Sequence, residues 1–337
     1  MGSMLPTMRI VTPGLLSSVQ DAGREAARRY GVPRSGAMDQ FALAAANLLV
    51  GNGPDAAALE LTSGGAVLEC LRPCLVALAG AELGATLEDR PFPPWRSELL
   101  ARGATLRLHG RRTNWGARAY LAIAGGVAVP HVLGSRATYL AGGFGGLAGR
   151  ALRAGDQLAT APTSGILWPY VGAHWPQHAR PAYGPQPTLH WLPGPHYAAL
   201  SPEAQAALSH ANIRIGPDAN RIGYRLEGLH LSFQQPLSLP SFGVIAGAIQ
   251  VPPDGKPILL MAEAQTIGGY PVVAIVIAPD LPLAAQLLPG DPLRLSPTSM
   301  AHALAAHQSQ AAWLAHGPQL DDLAEQLALV GAWPMVD

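Results

Sequence analysis

Apolar residues in this chain come in short runs that glycine and proline keep breaking. Residues 58–61, 74–79, 105–108, 118–124 and 272–278 are apolar or β-branched over strand-like lengths. Residues 212–215 and 224–226 alternate apolar with polar, the period of a half-buried strand. A helical pattern is rarer. Over 39–50 the apolar positions Phe41, Leu43, Ala46, Leu48 and Leu49 recur with no interior Gly or Pro, and Gly51 follows as a stop, which predicts a helix. Ser201 as N-cap with Pro202 behind it predicts a second helix, and residues 283–288 a third. Residues 298–332, rich in alanine and leucine, predict two more, separated at Gly317-Pro318. Many short strands and few helices define a mainly β fold.

The most informative run is 247–280. An apolar segment (247–251) meets the turn Pro252-Pro253-Asp254-Gly255 and returns through 256–262, the pattern of a hairpin. Then come Glu263, Gln265, Thr266 and Tyr270 around the pair Gly268-Gly269, followed by a buried-type strand at 272–278. A polar loop held between rigid strands is either a binding site or a tight turn whose side chains satisfy backbone groups; the residues alone leave both open.

At 337 residues the chain has room for two domains. Hydrophobic residues make up 49% and charged residues 13%, and the formal net charge is zero, so nucleic acid and anionic membrane are not expected partners. No apolar segment follows a basic start and no apolar run approaches membrane-spanning length, so a soluble, cytoplasmic protein is expected. Cys70 and Cys74 form a lone C-x-x-x-C pair, read as reduced thiols rather than a metal or disulfide framework. Lys256 is the only lysine.

Two further stretches carry candidate chemistry. Residues 20–24 and 30–39 are loop-like and include Asp21, Arg24 and Asp39. A glycine-rich loop at 134–150 contains G-F-G-G-L-A, but no strand–turn–helix surrounds it, so a dinucleotide fingerprint is rejected. No G-x-x-x-x-G-K-[ST] motif is present, which rules out a P-loop. The loop does set Arg136 and Arg150 beside free backbone N–H groups, an arrangement suited to an anion or simply to tight turns. No metal site is expected: Pro176 separates His174 from His178 and keeps them off one helix face, and His190 and His196 lie further on. Residues 155–158 and 290–293 share Gly-Asp-x-Leu, a hint that one unit is duplicated.

Ordered motifs along residues 8–296 resemble one family. In the first half they are PGLLSSVQDAGR (13–24), YGVPRSGAMD (30–39), AANLLVGN (45–52), LELT (59–62), YLAIAGG (120–126), LGSRAT (133–138) and GRALRAGD (149–156). In the second half they are LPGPH (192–196), NRIGYRL (220–226) and GAIQVP through GGYP (247–271). The pattern resembles the family of biotin-dependent carboxyltransferases, allophanate hydrolase subunit 2 and the 5-oxoprolinase C subunit, and free-standing chains of this length most resemble the last. The resemblance implies two tandem cyclophilin-like β-barrel domains. With the reading above they fall at 8–160 and 188–297, with a linker at 161–187 and C-terminal helices at 298–337.

The same resemblance implies one component of an ATP-dependent 5-oxoprolinase, paired with the B subunit and working with the A subunit to open 5-oxoproline to glutamate. ATP is then bound with or by the partner of this chain. Carboxyltransfer to urea-like amides is the alternative, with biotin carried on another protein, since Lys256 in D-G-K-P is no carrier-domain context. A third is a non-catalytic regulatory partner of a kinase inhibitor that resembles the B subunit. By resemblance, Asp21, Asp39 and Glu263 are candidate proton handlers or metal-phosphate ligands. Arg24, Arg136 and Arg221 are candidate anion binders, and Asn220, Gln250, Gln265, Thr266 and Tyr270 candidate substrate-orienting groups. The chain departs from the family pattern at Glu263, where aspartate is more usual, and at Ala137 and Ile267, where a hydroxyl side chain is.

Overall fold

The computed structural model describes residues 5–163 and 167–320. The first half opens with β1 (Pro6–Pro13), β2 (Leu16–Gln20), helix α1 (Gln40–Leu48), β3 (Ala58–Thr62), β4 (Ala66–Cys70) and β5 (Cys74–Gly80). It continues with β6 (Ala85–Leu87), β7 (Arg90–Pro91), β8 (Arg96–Leu100), β9 (Thr105–Leu108), β10 (Arg118–Ile123) and β11 (Gln157–Ala159). These strands make a six-stranded sheet, β11-β1-β4-β9-β6-β7, and a five-stranded sheet, β2-β3-β10-β5-β8. One core lies between the sheets and includes Ile10, Val19, Leu59, Leu68, Val76, Leu106 and Leu121.

Helix α1 covers the outer face of the five-stranded sheet. Phe41 packs edge-on against Trp175 and Trp313, at ring centroid distances of 5.9 and 6.3 Å. β3, β5 and β10 are therefore buried on both faces. That is why they read as unbroken apolar runs instead of alternating ones. Asp39 is the helix N-cap, its carboxylate accepting the Ala42 N–H at 2.8 Å.

The second half contains β12 (Thr188–Pro193), α2 (Pro202–His210), β13 (Ile213–Ile215), β14 (Gly223–Glu227), β15 (Phe242–Gly243), β16 (Ala248–Gln250) and β17 (Ile258–Leu260). After these come β18 (Ile267–Gly268), β19 (Val272–Val276), α3 (Leu281–Ala285), β20 (Pro292–Pro297) and α4 (Met300–His316). Seven of these strands close a barrel, β12-β19-β16-β17-β14-β13-β20, around Trp191, Ile213, Tyr224, Ile249, Leu259 and Val273. The hairpin expected at 247–262 forms as β16–β17, with Ile249 opposite Leu259. β15 and β18 make a separate two-stranded ribbon over the barrel. The chain is thus mainly β, as the run pattern predicts.

The stretch expected as a linker is anchored to the protein. Trp175 is fully buried, and its backbone N–H donates to the Trp95 carbonyl at 2.9 Å. Ser201 caps α2 as expected, accepting from Ala204 N at 3.2 Å. The second C-terminal helix expected from the sequence falls largely on residues 321–337, outside the described residues. Among the described residues, no helix is long and apolar enough to cross a membrane.

Candidate functional site between the two halves

The two halves meet across a buried polar network. Its centre is Arg221, from the turn before β14. Arg221 Nε donates to Glu263 Oε1 at 2.6 Å, Nη1 to Glu60 Oε1, and Nη2 to the Gly36 carbonyl at 2.5 Å. All three guanidinium nitrogens are placed within the protein. Glu60, in the middle of β3, turns its other oxygen to Met38 N (2.9 Å) and to the Tyr120 hydroxyl (2.7 Å). Beside it Asp39 accepts from the Tyr183 hydroxyl and from Gln286 Nε2, each at 2.8 Å. Gln286 Oε1 in turn accepts Ala117 N and Arg118 N at 3.0 and 2.9 Å. Arg118 Nη1 reaches across to the Tyr224 hydroxyl at 3.1 Å.

Electrostatics separate the two seam carboxylates. Burial alone would push Glu60 upward; Arg221 and Arg118 outweigh it and hold its carboxyl below the usual range. Asp39 has hydrogen bonds but no such cation. Burial pushes it up to about 6, against the opposing pull of Ala42 N, Gln286 and Tyr183. Arg221 is desolvated too, yet Glu60 and Glu263 hold its proton more tightly than usual.

A second group of loops lies against this seam. Asp21 Oδ1 accepts from Gly23 N and the Ser135 hydroxyl, both at 2.7 Å, and Oδ2 accepts from Arg136 N at 2.5 Å. Asp21 thus ties loop 20–24 to loop 132–138. The Arg136 guanidinium donates from Nε to the Val129 carbonyl at 2.9 Å. Gly36 joins these loops to the seam. With φ +80, it sits where a Cβ would fall 2.7 Å from Gly23 N and 2.8 Å from Asp21 O, so only glycine brings its carbonyl to Arg221.

Arg24 is the unusual member. It is 2% exposed, and its partners are the Ala137 carbonyl, the Val132 carbonyl at 3.5 Å and the face of Phe144, 5.1 Å from the ring centre. Nη1 has no hydrogen-bond partner among the described residues. Burial lowers its proton affinity, and the charges of Asp21 and Glu263 pull it partly back. On the neighbouring loop, Ser35 is fully buried at φ +54, and its hydroxyl is likewise without a partner among the described residues. The two loops are pinned by Arg24 N donating to the Arg34 carbonyl at 2.8 Å.

The loop at 263–271 forms the other wall. Glu263 is buried, and its Oε1 accepts from Arg221 Nε. Buried Gln250 accepts from Gln265 Nε2 at 3.1 Å and donates to the Tyr270 carbonyl at 3.3 Å. The Thr266 carbonyl accepts Val244 N at 3.0 Å and holds the β15–β18 ribbon. Arg28 Nη2 donates to the Val244 carbonyl at 2.9 Å, a direct tie between the halves. Tyr270 is exposed at the rim. Asn220 shapes a turn, its Oδ1 accepting Ile222 N at 2.8 Å.

The structure therefore brings Asp21, Arg24, Arg221 and Glu263 together around Gly36. Asp39 lies behind Glu60 and Tyr120. Asn220, Gln265 and Tyr270 lie at the outer edge. Ser35, Glu60, Arg118, Tyr183 and Gln286 join the cluster although the sequence reading does not name them as candidates. Of these, Ser35 lies in the motif YGVPRSGAMD and Glu60 in LELT, where Glu60 is also an acid in the middle of the apolar run 58–61. Two cavities, of about 240 Å³ between the barrel and α4 and about 340 Å³ beside Cys74, lie away from this cluster. Among the described residues, no group of three His, Cys, Asp or Glu side chains is arranged to hold a metal ion.

A buried arginine thus holds two carboxylates, one from each half, at the seam between the two β-rich halves. The carboxyltransferase domain, subdomain A and B family model matches residues 30–297, and the chain belongs to that family. It is 38% identical over 306 residues to the 5-oxoprolinase C subunit of Escherichia coli K12, covering 90% of this chain and 95% of that one. It is 36% identical over 291 residues to the 5-oxoprolinase C subunit of Haemophilus influenzae, covering 85% and 90%. Among solved structures, the urea amidolyase of K. lactis superposes with a TM-score of 0.86 at 27% identity. That match takes in 96% of this chain but only 21% of the enzyme.

Proposed function

We propose that the chain is the C subunit of an ATP-dependent 5-oxoprolinase, a cytoplasmic hetero-oligomer in which it joins the A and B subunits to hydrolyse the lactam of 5-oxoproline to glutamate. The observation that carries this reading is likeness over nearly the full length of two proteins named as the C subunit of 5-oxoprolinase. The buried arginine supports it independently. A desolvated guanidinium with an unused N–H costs stability unless an anion completes it, and 5-oxoproline carries one carboxylate.

In this reading Arg24 Nη1 binds the substrate carboxylate. Ser35 Oγ adds a neutral hydrogen bond. Glu263 is held through one oxygen by Arg221; its other oxygen takes a proton from the attacking water, a role worth about 10²–10⁴ in rate. Asp21 keeps the Arg24 loop in place. Gln250 and Gln265 set the position of the outer wall.

ATP would make the lactam carbonyl a better electrophile. The residues here do not fit its phosphates: the glycine-rich loop is already filled by the protein, since a Cβ on Gly145 (φ +74) would fall 2.0 Å from Ala137 O. In this reading ATP is bound with or by a partner subunit. Any biotin would in this reading arrive on another protein, since the D-G-K-P around Lys256 is not a carrier-domain context. Carboxyltransfer to urea-like amides is the second reading, favoured by the match to urea amidolyase.

The test is glutamate release from 5-oxoproline and ATP by the reconstituted A, B and C subunits, omitting each in turn. Loss of turnover without this chain supports the proposal. Unchanged turnover without it refutes the proposal.

A further inference from the structure

The two cysteines lie far from the seam, and the chemistry above does not use them. Cys70 ends β4 of the six-stranded sheet and Cys74 begins β5 of the five-stranded sheet. The Leu71-Arg72-Pro73 link is thus a place where the chain crosses from one sheet to the other. Both thiols are free, with their sulfurs 3.6 Å apart. Cys70 is fully buried and also contacts the Arg72 carbonyl at 2.8 Å. Cys74 lines a cavity of about 340 Å³ together with Thr7, Arg72, Pro73 and Thr160. Cys74 therefore borders a space large enough for a small polar molecule, and the Cys70 sulfur is in contact with its own.

We propose that Cys70 and Cys74 are a thiol-oxidation site: a small hydroperoxide enters the cavity beside Cys74 and the pair closes to an intramolecular disulfide. The balance is simple. A thiolate sulfur of the pair attacks the terminal peroxide oxygen; the S–O bond forms, the O–O bond breaks, and the leaving oxygen departs as water or alcohol after taking a proton. The second sulfur attacks the resulting sulfenic sulfur, forms the S–S bond and expels the oxygen as water. Two thiols and one hydroperoxide give one disulfide, water and a second molecule of water or alcohol.

Geometry supplies what each step needs. The two sulfurs touch, and this contact is the main reason the Cys70 thiol ionises more readily than an ordinary one while Cys74 holds its proton more tightly. Cys70 is therefore the attacking sulfur and Cys74 the resolving one. The resolving sulfur is already in contact distance, so the sulfenic acid closes before a second oxidant arrives. The product staples the two sheets of the first half at the β4–β5 crossing, where Cys74 also pairs with Leu100 of β8. A closed ring of this kind restricts the unfolded chain and stabilises the fold.

The experiment uses the whole chain, reduced and then treated with one equivalent of hydrogen peroxide. Free thiols are blocked, and the peptide holding both cysteines is weighed. The expected result is a loss of about 2 Da on that peptide with no alkylated cysteine, reversed by dithiothreitol. The oxidised chain should also melt about 5 °C higher than the reduced one. Cys70→Ser and Cys74→Ser, each measured alone, should instead gain about 16 or 32 Da at the remaining sulfur. The wild-type result does not depend on either variant folding. Two alkylated cysteines after treatment, or oxygen added to each sulfur of the wild type without disulfide, would overturn the proposal.

Discussion

Arg221 and Arg24 are both buried arginines, one on each side of Gly36, and they are handled in opposite ways. Arg221 commits every nitrogen to Glu60, Glu263 and a carbonyl. Arg24 has carbonyls and an aromatic face and, among the described residues, no carboxylate in contact and one idle nitrogen. Their exposure is similarly low, although Arg221 lies deeper; the set of partners differs. A cation whose charge is matched inside the protein is framework. A cation left short of partners in a low dielectric is stabilised when an anion arrives. Residue type and burial alone do not separate these roles; the census of hydrogen bonds does.

The largest effect should come from Arg221→Met. The change leaves Glu60 and Glu263 buried without their common cation, and a broken buried pair typically costs about 3–5 kcal/mol. Denaturant unfolding of the purified chain measures it. Adding Glu60→Gln should recover part of the loss, because one orphaned charge is removed. A loss under about 1 kcal/mol would mean the seam does not depend on this ion pair.

Arg24→Gln should behave in the reverse sense. Removing an unpaired buried charge should change stability by no more than about 1 kcal/mol. Turnover of the reconstituted complex should fall at least about 100-fold, as when a charged contact to substrate is lost. Assembly with the B subunit should persist. A variant that unfolds like Arg221→Met would place Arg24 in the framework and erase the contrast.

The seam carboxylates give a pH test. Asp39 is raised to about 6 in the folded chain, above its unfolded value of 3.8. Stability linked to its proton is present in full below the unfolded value and is lost as pH rises through about 6. In Asp39→Asn nothing titrates there. The difference in unfolding free energy between wild type and Asp39→Asn should therefore fall by on the order of 2–3 kcal/mol between about pH 4 and about pH 7. A difference that stays flat, or that grows with pH, contradicts the assignment. Glu60 works in the opposite direction: Arg221 and Arg118 hold its carboxyl low, so its contribution is lost only as pH drops below the ordinary carboxylate range.

Local signals are legible in the chain itself. The β16–β17 hairpin follows from Pro-Asp-Gly between apolar runs, α1 from its spacing and stop, and the α2 cap from Ser201-Pro202. The repeated Gly-Asp-x-Leu also has a structural counterpart. In the first half Gly155 N donates to Ile10 O and Ile10 N to Asp156 O; in the second, Gly290 N donates to Ile215 O and Ile215 N to Asp291 O. Each aspartate also accepts the N–H three residues before it, from Arg153 and from Leu288. What stays hidden is long-range. A loop arginine such as Arg221 has the chemistry of an anion binder, and the anion it meets is Glu60, 161 positions away. Tyr183 is hidden for the same reason, within a stretch that reads as linker and whose partner Asp39 is 144 positions away. No periodicity encodes such pairs.

Ser35 offers the smallest effect and the finest cut. Its hydroxyl is buried and unpartnered among the described residues, so it adds nothing that the protein itself uses. Its backbone at φ +54 is unfavourable for any residue with a Cβ, and alanine shares that strain with serine. Ser35→Ala thus isolates the hydroxyl. If the hydroxyl faces substrate beside Arg24, stability should stay level or rise by up to about 1 kcal/mol, because an unsatisfied buried oxygen is gone. KM for 5-oxoproline should rise about tenfold with kcat little changed, the signature of lost uniform binding. Ser35→Gly keeps that loss and also relieves the backbone, so it should match the alanine variant in KM while differing in stability. Unchanged KM with a stability loss above about 1 kcal/mol would assign the hydroxyl to the framework, on Arg221's side of the comparison rather than Arg24's.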